Sequence, residues 1–107
     1  MKQRTSVRHR ERRAEVFKAL GHPARLRLVD ELATGEKCVC ELVASVGSGW
    51  STVSRHLSVL RSAGVVTDQK RGLQVFYRLR LSCVPTFLQC LDAAQRGEAV
   101  EMRPCCG

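Results

Sequence analysis

Apolar residues recur along this chain at two spacings, and each predicts a different element. Between Trp50 and Gly64, Val53, Leu57 and Leu60 fall three and four apart, with Val59 or Gly64 beside them, which lines one face of a helix for burial. Ser51, Thr52, Ser54, Arg55 and Ser58 then point elsewhere, and such side chains bond phosphates and base edges. A shorter apolar run from Val39 to Val46 predicts a helix before it, closed by Gly47-Ser48-Gly49. Two short helices around a Gly-containing turn form a helix-turn-helix, with the second helix as the reader. From residue 66 the spacing drops to two. Val66 to Gln69 and Gln74 to Leu79 are β-prone, and Lys70-Arg71-Gly72-Leu73 supplies the turn between them. Val75, Tyr77 and Leu79 alternate with Gln74, Phe76 and Arg78, so the second strand is half buried. The expected result is a β-hairpin wing with a basic tip.

The flanking segments return to helical spacing. From Glu15, Val16, Phe17 and Leu20 line one side, and Gly21-His22-Pro23 ends that helix because Pro cannot continue it. His22 is expected to act as a cap or structural residue, since no His, Asp or Glu stands at ligand spacing beside it. Ala24 to Ala33 forms the next helix, with Leu26, Val29 and Leu32 inward, and Thr34 to Lys37 is its turn. Ser82 is a fair N-cap for a last helix carrying Val84, Phe87, Leu88 and Leu91. Its apolar face is broader than a small domain needs, so this face and the Val16-Phe17-Leu20 helix are expected to form a homodimer seam. The fold expected is mainly α with a β-hairpin wing: a winged helix-turn-helix, dimeric through its first and last helices. Residues 1–12 are expected as a basic flexible arm, 13–97 as the DNA-binding and dimerisation domain, and 98–107 as a flexible cysteine-containing tail.

Composition narrows the partner. The chain has 107 residues, enough for one small core, and 18 Lys plus Arg against 10 Asp plus Glu give a net charge of +8. A protein this basic expects a polyanion, most often nucleic acid. The first thirteen residues hold Lys2, Arg4, Arg8, Arg10, Arg12 and Arg13, with no apolar run after them. They therefore read as neither a signal peptide nor a membrane anchor, and the protein is expected in the cytoplasm with no membrane partner.

The six cysteines are expected to be free thiols in that reducing compartment. Cys38 and Cys40 are two apart, which in a regular helix at about 100° per residue aims them roughly 200° apart. For both to hold one ion, the first turn of the helix would have to unwind or twist, moving the reader helix behind it. Thiolates select soft ions, and a short Cys-x-Cys is not the four-cysteine pattern of a structural zinc site. Cys83 and Cys90 lie about 10 Å apart along a helix axis, too far to share a small ion, and read best as small buried hydrophobes. Cys105 and Cys106 could fold back onto Cys38 and Cys40. Trp50 is expected to pack into the core or against the wing in preference to resting on DNA.

Several blocks together resemble the ArsR/SmtB family of metal-responsive winged-helix repressors. They are Ala19 to Leu28, Cys38-Val39-Cys40-Glu41-Leu42, Ser51 to Leu57 with Leu60 and Ala63-Gly64-Val65, and Arg71-Gly72 with Tyr77-Arg78-Leu79. The Cys-Val-Cys is similar to the arsenic-sensing branch. The resemblance implies a homodimer on double-stranded, inverted-repeat operator DNA, with Ser51, Thr52, Ser54, Arg55 and His56 at the groove and Lys70 and Arg71 at the wing. It further implies arsenite or antimonite as inducer on Cys38 and Cys40, with lead, cadmium or thiol oxidation as alternative signals, and no catalytic cofactor. In such arsenic sensors a third cysteine follows three residues after the second. Here that position is Val43, so either the site has only two sulfurs or a third comes from elsewhere, with Cys105 or Cys106 ranked ahead of Cys83 or Cys90. An oxidoreductase or arsenate reductase would need a low-pKa thiol in a Cys-x-x-Cys or anion-binding loop. The chain has neither, and the reading is of a regulator and not an enzyme.

Overall fold

In the computed structural model, which describes residues 2–98 and side chains from Val7, the elements follow the order α1 (Lys2–Leu20), α2 (Pro23–Ala33), β1 (Lys37–Cys38), α3 (Val39–Val46), α4 (Trp50–Ser62), β2 (Val66–Arg71), β3 (Gln74–Leu79) and α5 (Cys83–Gln95). Helix and hairpin fall where the two apolar spacings place them. The difference at the N-terminus is that α1 begins at Lys2, so the basic residues 2–12 belong to the first helix and do not precede it. Its Lys, Arg, Gln and Glu residues are strong helix formers, and propensity carries the helix past the point where apolar periodicity stops. The expected tail at 98–107, with Cys105 and Cys106, lies outside the described residues beyond Glu98.

Leu28, Val29, Leu42, Val53, Leu57, Leu60, Val65 and Val66 are fully buried and form a core shared by α2, α3, α4 and the base of the wing. Leu57→Ala at its centre would cost about 2–5 kcal/mol, the usual range for truncating a buried Leu. Short turns hold the helices against this core. Gly47 ends α3 in the left-handed region at φ 76, and Gly49 starts α4 two residues later. The far end of α4 closes with Gly64 at φ 82, where the Val65 N–H donates to the Leu60 carbonyl at 2.9 Å and the Gly64 N–H to the Arg61 carbonyl at 3.0 Å. This paired closure satisfies the last helical carbonyls and reverses the chain from α4 into the wing.

The wing has one strand more than a hairpin. β3 is central, with β2 on one side and the two-residue β1 on the other, all antiparallel. Lys37 pairs with Tyr77 and Cys38 with Phe76, so the expected turn at Thr34–Lys37 stops one residue short. Arg71 pairs with Gln74, which makes Lys70 and Arg71 strand residues and leaves Gly72-Leu73 as the loop. Gly72 takes φ 63 at the first loop position, as the primed turns of two-residue hairpins require.

Ser82 occupies the N-cap position of α5 but its side chain makes no cap bond. Cys83 is exposed and Cys90 only half-buried, so neither is the fully buried core residue expected of it.

Candidate nucleic-acid interface and thiol site

Helix α4 separates its two faces cleanly. Val53, Leu57 and Leu60 are wholly buried, while Ser51, Thr52, Ser54 and Arg55 are exposed. At about 100° per residue, Ser51, Thr52 and Arg55 share the face turned away from the core. No side chain caps the N-terminus of α4, so its first N–H groups remain available to an anion such as a phosphate. His56 departs from this set. It is half-buried, its Nδ1 accepts the Arg25 Nε–H at 3.3 Å, and its ring lies 4.5 Å from that of His22. Burial, with the nearby His22, Arg25 and Arg55, pushes its pKa below the ordinary histidine value. His56 thus ties α4 to the α1–α2 corner as a half-buried hydrogen-bonding residue, less exposed than Ser51, Thr52, Ser54 and Arg55.

Arg25 is the residue the sequence reading missed at that corner. Its guanidinium also donates to the Lys18 and Ala19 carbonyls at 3.2 and 3.1 Å, satisfying the C-terminal end of α1. His22 caps α2 as expected, its Nδ1 accepting the Ala24 N–H at 3.1 Å.

At the wing, Lys70 and Arg71 are both exposed, but they differ in their partners. Arg71 makes a two-pronged ion pair with Glu36 at 2.6 and 3.0 Å, donates to Gln69 and covers the Phe76 ring at 4.8 Å. Its charge is thus largely matched from within, whereas Lys70 enters no ion pair among the described residues. Glu36 could not be identified from spacing, because it meets Arg71 only through the pairing of β1 with β3. Arg61 is likewise held by Asp68 at 2.8 Å.

Cys38 and Cys40 come together, and here the geometric expectation needs correction. Cys38 is the N-cap of α3, with extended backbone at φ −78 and ψ 159, so only Cys40 lies inside the helix. The 200° divergence of a regular helix does not apply. The two residues form a disulfide with Cα atoms 5.4 Å apart, and no helical turn unwinds to allow it. This differs from the free thiols expected of the pair. Cys38 Sγ accepts the Glu41 N–H at 3.4 Å while Glu41 Oε1 accepts the Cys38 N–H at 3.1 Å, a reciprocal cap in which sulfur replaces the usual hydroxyl. The Cys38-Val39-Cys40-Glu41 spacing carried that signal. Cys38 is also the last residue of β1, paired with Phe76, so one side chain joins the wing to the first turn of the helix-turn-helix.

Cys40 is exposed and Cys38 buried, and both border a cleft of about 210 Å³ between α3 and the wing. Trp50, the first residue of α4, forms one wall, and Leu73, Gln74 and Val75 of the wing form another. Trp50 is 58% exposed, so it faces the wing without the burial expected of a core residue. Among the described residues no group of three His, Cys, Asp or Glu side chains converges as a metal site. Reduced, the pair would offer two sulfurs, suited to a thiophilic ligand, and Val43 packs against the core instead of offering a third. Cys105 and Cys106 lie outside the described residues.

The apolar face of the outer helices is only partly covered. Phe17 meets Phe87 edge to face at 6.1 Å, yet Phe17 is 59% exposed and Leu91 44%. No helix among the described residues is long and apolar enough to cross a membrane.

Residues 22–68 match the sequence pattern of the family described as bacterial regulatory protein, arsR family. The chain is 36% identical over 83 residues to an uncharacterized HTH-type transcriptional regulator of Methanocaldococcus jannaschii, covering 77% of this chain and 93% of the relative. It is 40% identical over 83 residues to an arsenic resistance transcriptional regulator of Pseudomonas putida, covering 77% of this chain but 62% of the relative. The match also spans less than two thirds of several other curated relatives. Among solved structures, the homodimeric winged helix-turn-helix DNA-binding domain of a Mycobacterium bovis regulator superposes with a TM-score of 0.81 at 26% identity, over 90% of this chain and 93% of that one.

Proposed function

The chain belongs to the arsR family of bacterial regulatory proteins, and from that premise we propose that it is a dimeric repressor released from an inverted-repeat operator when trivalent arsenic or antimony binds Cys38 and Cys40. The observation that carries this reading is the position of Cys38. It caps α3, ends β1 against the wing, and meets the sulfur of Cys40. Once a cellular thiol reductant has opened the disulfide by exchange and is itself oxidised, Cys38 and Cys40 would hold the metalloid as thiolates, and the metalloid would supply soft acceptor orbitals. A bound metalloid would draw Cys38 Sγ out of its bond with the Glu41 N–H, and loss of that cap would weaken the start of α3 next to β1. Those two elements set the position of the reader helix relative to the wing. When the ligand is inorganic, Cys105 or Cys106 supplies the third sulfur. Ser51, Thr52, Ser54 and Arg55 face the major groove, Lys70 the phosphates. The basic outer face of α1, where Arg8, Arg10, Arg12 and Arg13 are exposed, adds a sequence-independent attraction.

Fluorescence anisotropy on a labelled palindromic operator tests the switch. A coupling of about 1–3 kcal/mol predicts that arsenite weakens operator binding some 5–150-fold in the reduced protein. Cys38→Ser and Cys40→Ser should bind DNA nearly as well and lose most of that response. Release at the same arsenite concentration in the doubly substituted protein would place the sensor elsewhere. The disulfide between Cys38 and Cys40 favours one second reading, a thiol-oxidation sensor at the same pair. That reading requires peroxide to release DNA at lower concentration than arsenite.

A further inference from the structure

We propose that the cleft beside Cys38 and Cys40 selects a trivalent arsenical carrying one organic substituent, with an aryl group favoured over a methyl. This rests on the thiol pair being the sensing site and adds the class of ligand it takes. Trivalent arsenic makes three bonds, and the described residues offer two sulfurs with Val43 where a third would stand. An arsenical with a carbon substituent needs only two. The substituent must then lie somewhere, and the space next to the sulfurs is apolar. Val39 and Val75 line it, with Trp50 on the reader helix and Leu73 on the wing.

The dimensions suit a ring. The cleft holds about 210 Å³, larger than the apolar cavity of about 150 Å³ that accommodates benzene in an engineered protein core. Leu73 is 99% exposed and Trp50 58%, so both gain burial when a ring enters between them. Gln74 is the one polar side chain of the lining apart from the sulfurs. A hydroxylated inorganic ligand gains nothing from such walls.

The chemistry balances without a change in the oxidation state of arsenic. A cellular thiol reductant first opens the disulfide by exchange and is itself oxidised. The two thiols then displace two hydroxides from a monosubstituted arsonous acid. Two arsenic–sulfur bonds form, two arsenic–oxygen bonds break, and the thiol protons leave with the hydroxides as water. The carbon–arsenic bond stays intact. Because the occupied cleft lies between the first residue of α4 and the wing loop, the ring is inserted between the two elements that meet DNA.

Trp50 is the only tryptophan of the chain, so its emission reports the cleft directly. Reduced full-length protein, freed of excess thiol, is titrated with phenylarsine oxide, methylarsonous acid and arsenite. The phenyl compound should bind at least about ten-fold more tightly than the methyl one, a difference of about 1.4 kcal/mol, with arsenite weakest. Leu73→Gln, at a position 99% exposed, should cut the phenyl preference over methyl to less than half, with a melting curve checking that the fold is retained. The ranking should persist in the Cys105→Ser, Cys106→Ser protein. Equal affinity for phenyl and methyl, or loss of the ranking with the tail cysteines, overturns the inference while leaving the thiol pair as a sensor. An unchanged Trp50 response in Cys38→Ser, Cys40→Ser overturns the reading beneath it.

Discussion

Two arginines that look equivalent as letters have different standing in the structure. Arg55 is exposed on the outer face of α4 without an internal ion pair among the described residues, whereas Arg71 is matched by Glu36 and stacked on Phe76. Arg55→Ala should therefore cost about 1–3 kcal/mol on the operator and relax sequence preference if it reads a base. Lys70→Ala should weaken all sequences alike and reduce the salt slope by about 1. Arg71→Ala should do less than Lys70→Ala, because its exposed ion pair must first be exchanged for a phosphate. Anisotropy at several salt concentrations separates the three, and equal losses at Lys70 and Arg71 would show that Glu36 does not hold Arg71 back. His56 gives a second residue-scale test. Its folded pKa is lowered by burial, so below the ordinary histidine value the unfolded chain takes up a proton that the native protein refuses. The unfolded state binds more protons there, so stability is complete above that value and falls as pH drops through it to the folded pKa. Melting from pH 8 to pH 5 should show this loss, and His56→Gln should flatten it. An unaltered pH profile in the variant would assign the titration to another group.

Among the elements, α3 matters most because it is short and begins at the thiol pair. Eight residues form a marginal helix on their own, so packing of Leu42 and the reciprocal cap decide whether its first turn is held. Glu41→Ala removes the acceptor for the Cys38 N–H and should cost about 1 kcal/mol in thermal unfolding. It should also speed amide exchange in the first turn of α3 more than in α2. Uniform acceleration across both helices would mean that the cap stabilises the whole domain instead of the turn that couples to the wing. The wing follows the same logic. β1 has only two residues, and it pairs with β3 by way of the cysteine that caps α3, so strain at one end is felt at the other.

At the scale of the whole molecule, the exposed large apolar residues outside the cleft, Val7, Phe17 and Leu91, sit on the outer helices. Phe17 and Leu91 are large and open to solvent, with Phe87 between them, which suits a seam between two copies. A two-fold dimer would present two α4 helices about 10 base pairs apart to successive major grooves. Sedimentation of the native chain should give twice its 11.9 kDa mass at micromolar concentration. Phe17→Asp with Leu91→Asp should yield the monomer and weaken operator binding while leaving the melting of the monomer fold cooperative. A dimer that survives both changes would put the seam on another surface.

The periodicities by themselves determined the order of the helices and the hairpin, but not β1. Helical spacing marks α2, α3, α4 and α5, alternation marks the wing, and the buried positions Val53, Leu57, Leu60 and Tyr77 follow from those two periods, because burial on one face imposes them on the sequence. Local chemistry also showed the cap at His22 and the glycine turns at Gly47 and Gly72. The tertiary structure decided what depends on contacts between distant residues: Arg71 with Glu36 across 35 positions, His56 with Arg25 across 31, and the cleft that sets Trp50 against the wing. The thiol pair turned on a single backbone angle. As letters, Cys38 and Cys40 belong to one helix and diverge. Pairing with Phe76 instead leaves Cys38 extended at the helix boundary, and an extended residue next to a helical one is what lets two sulfurs meet.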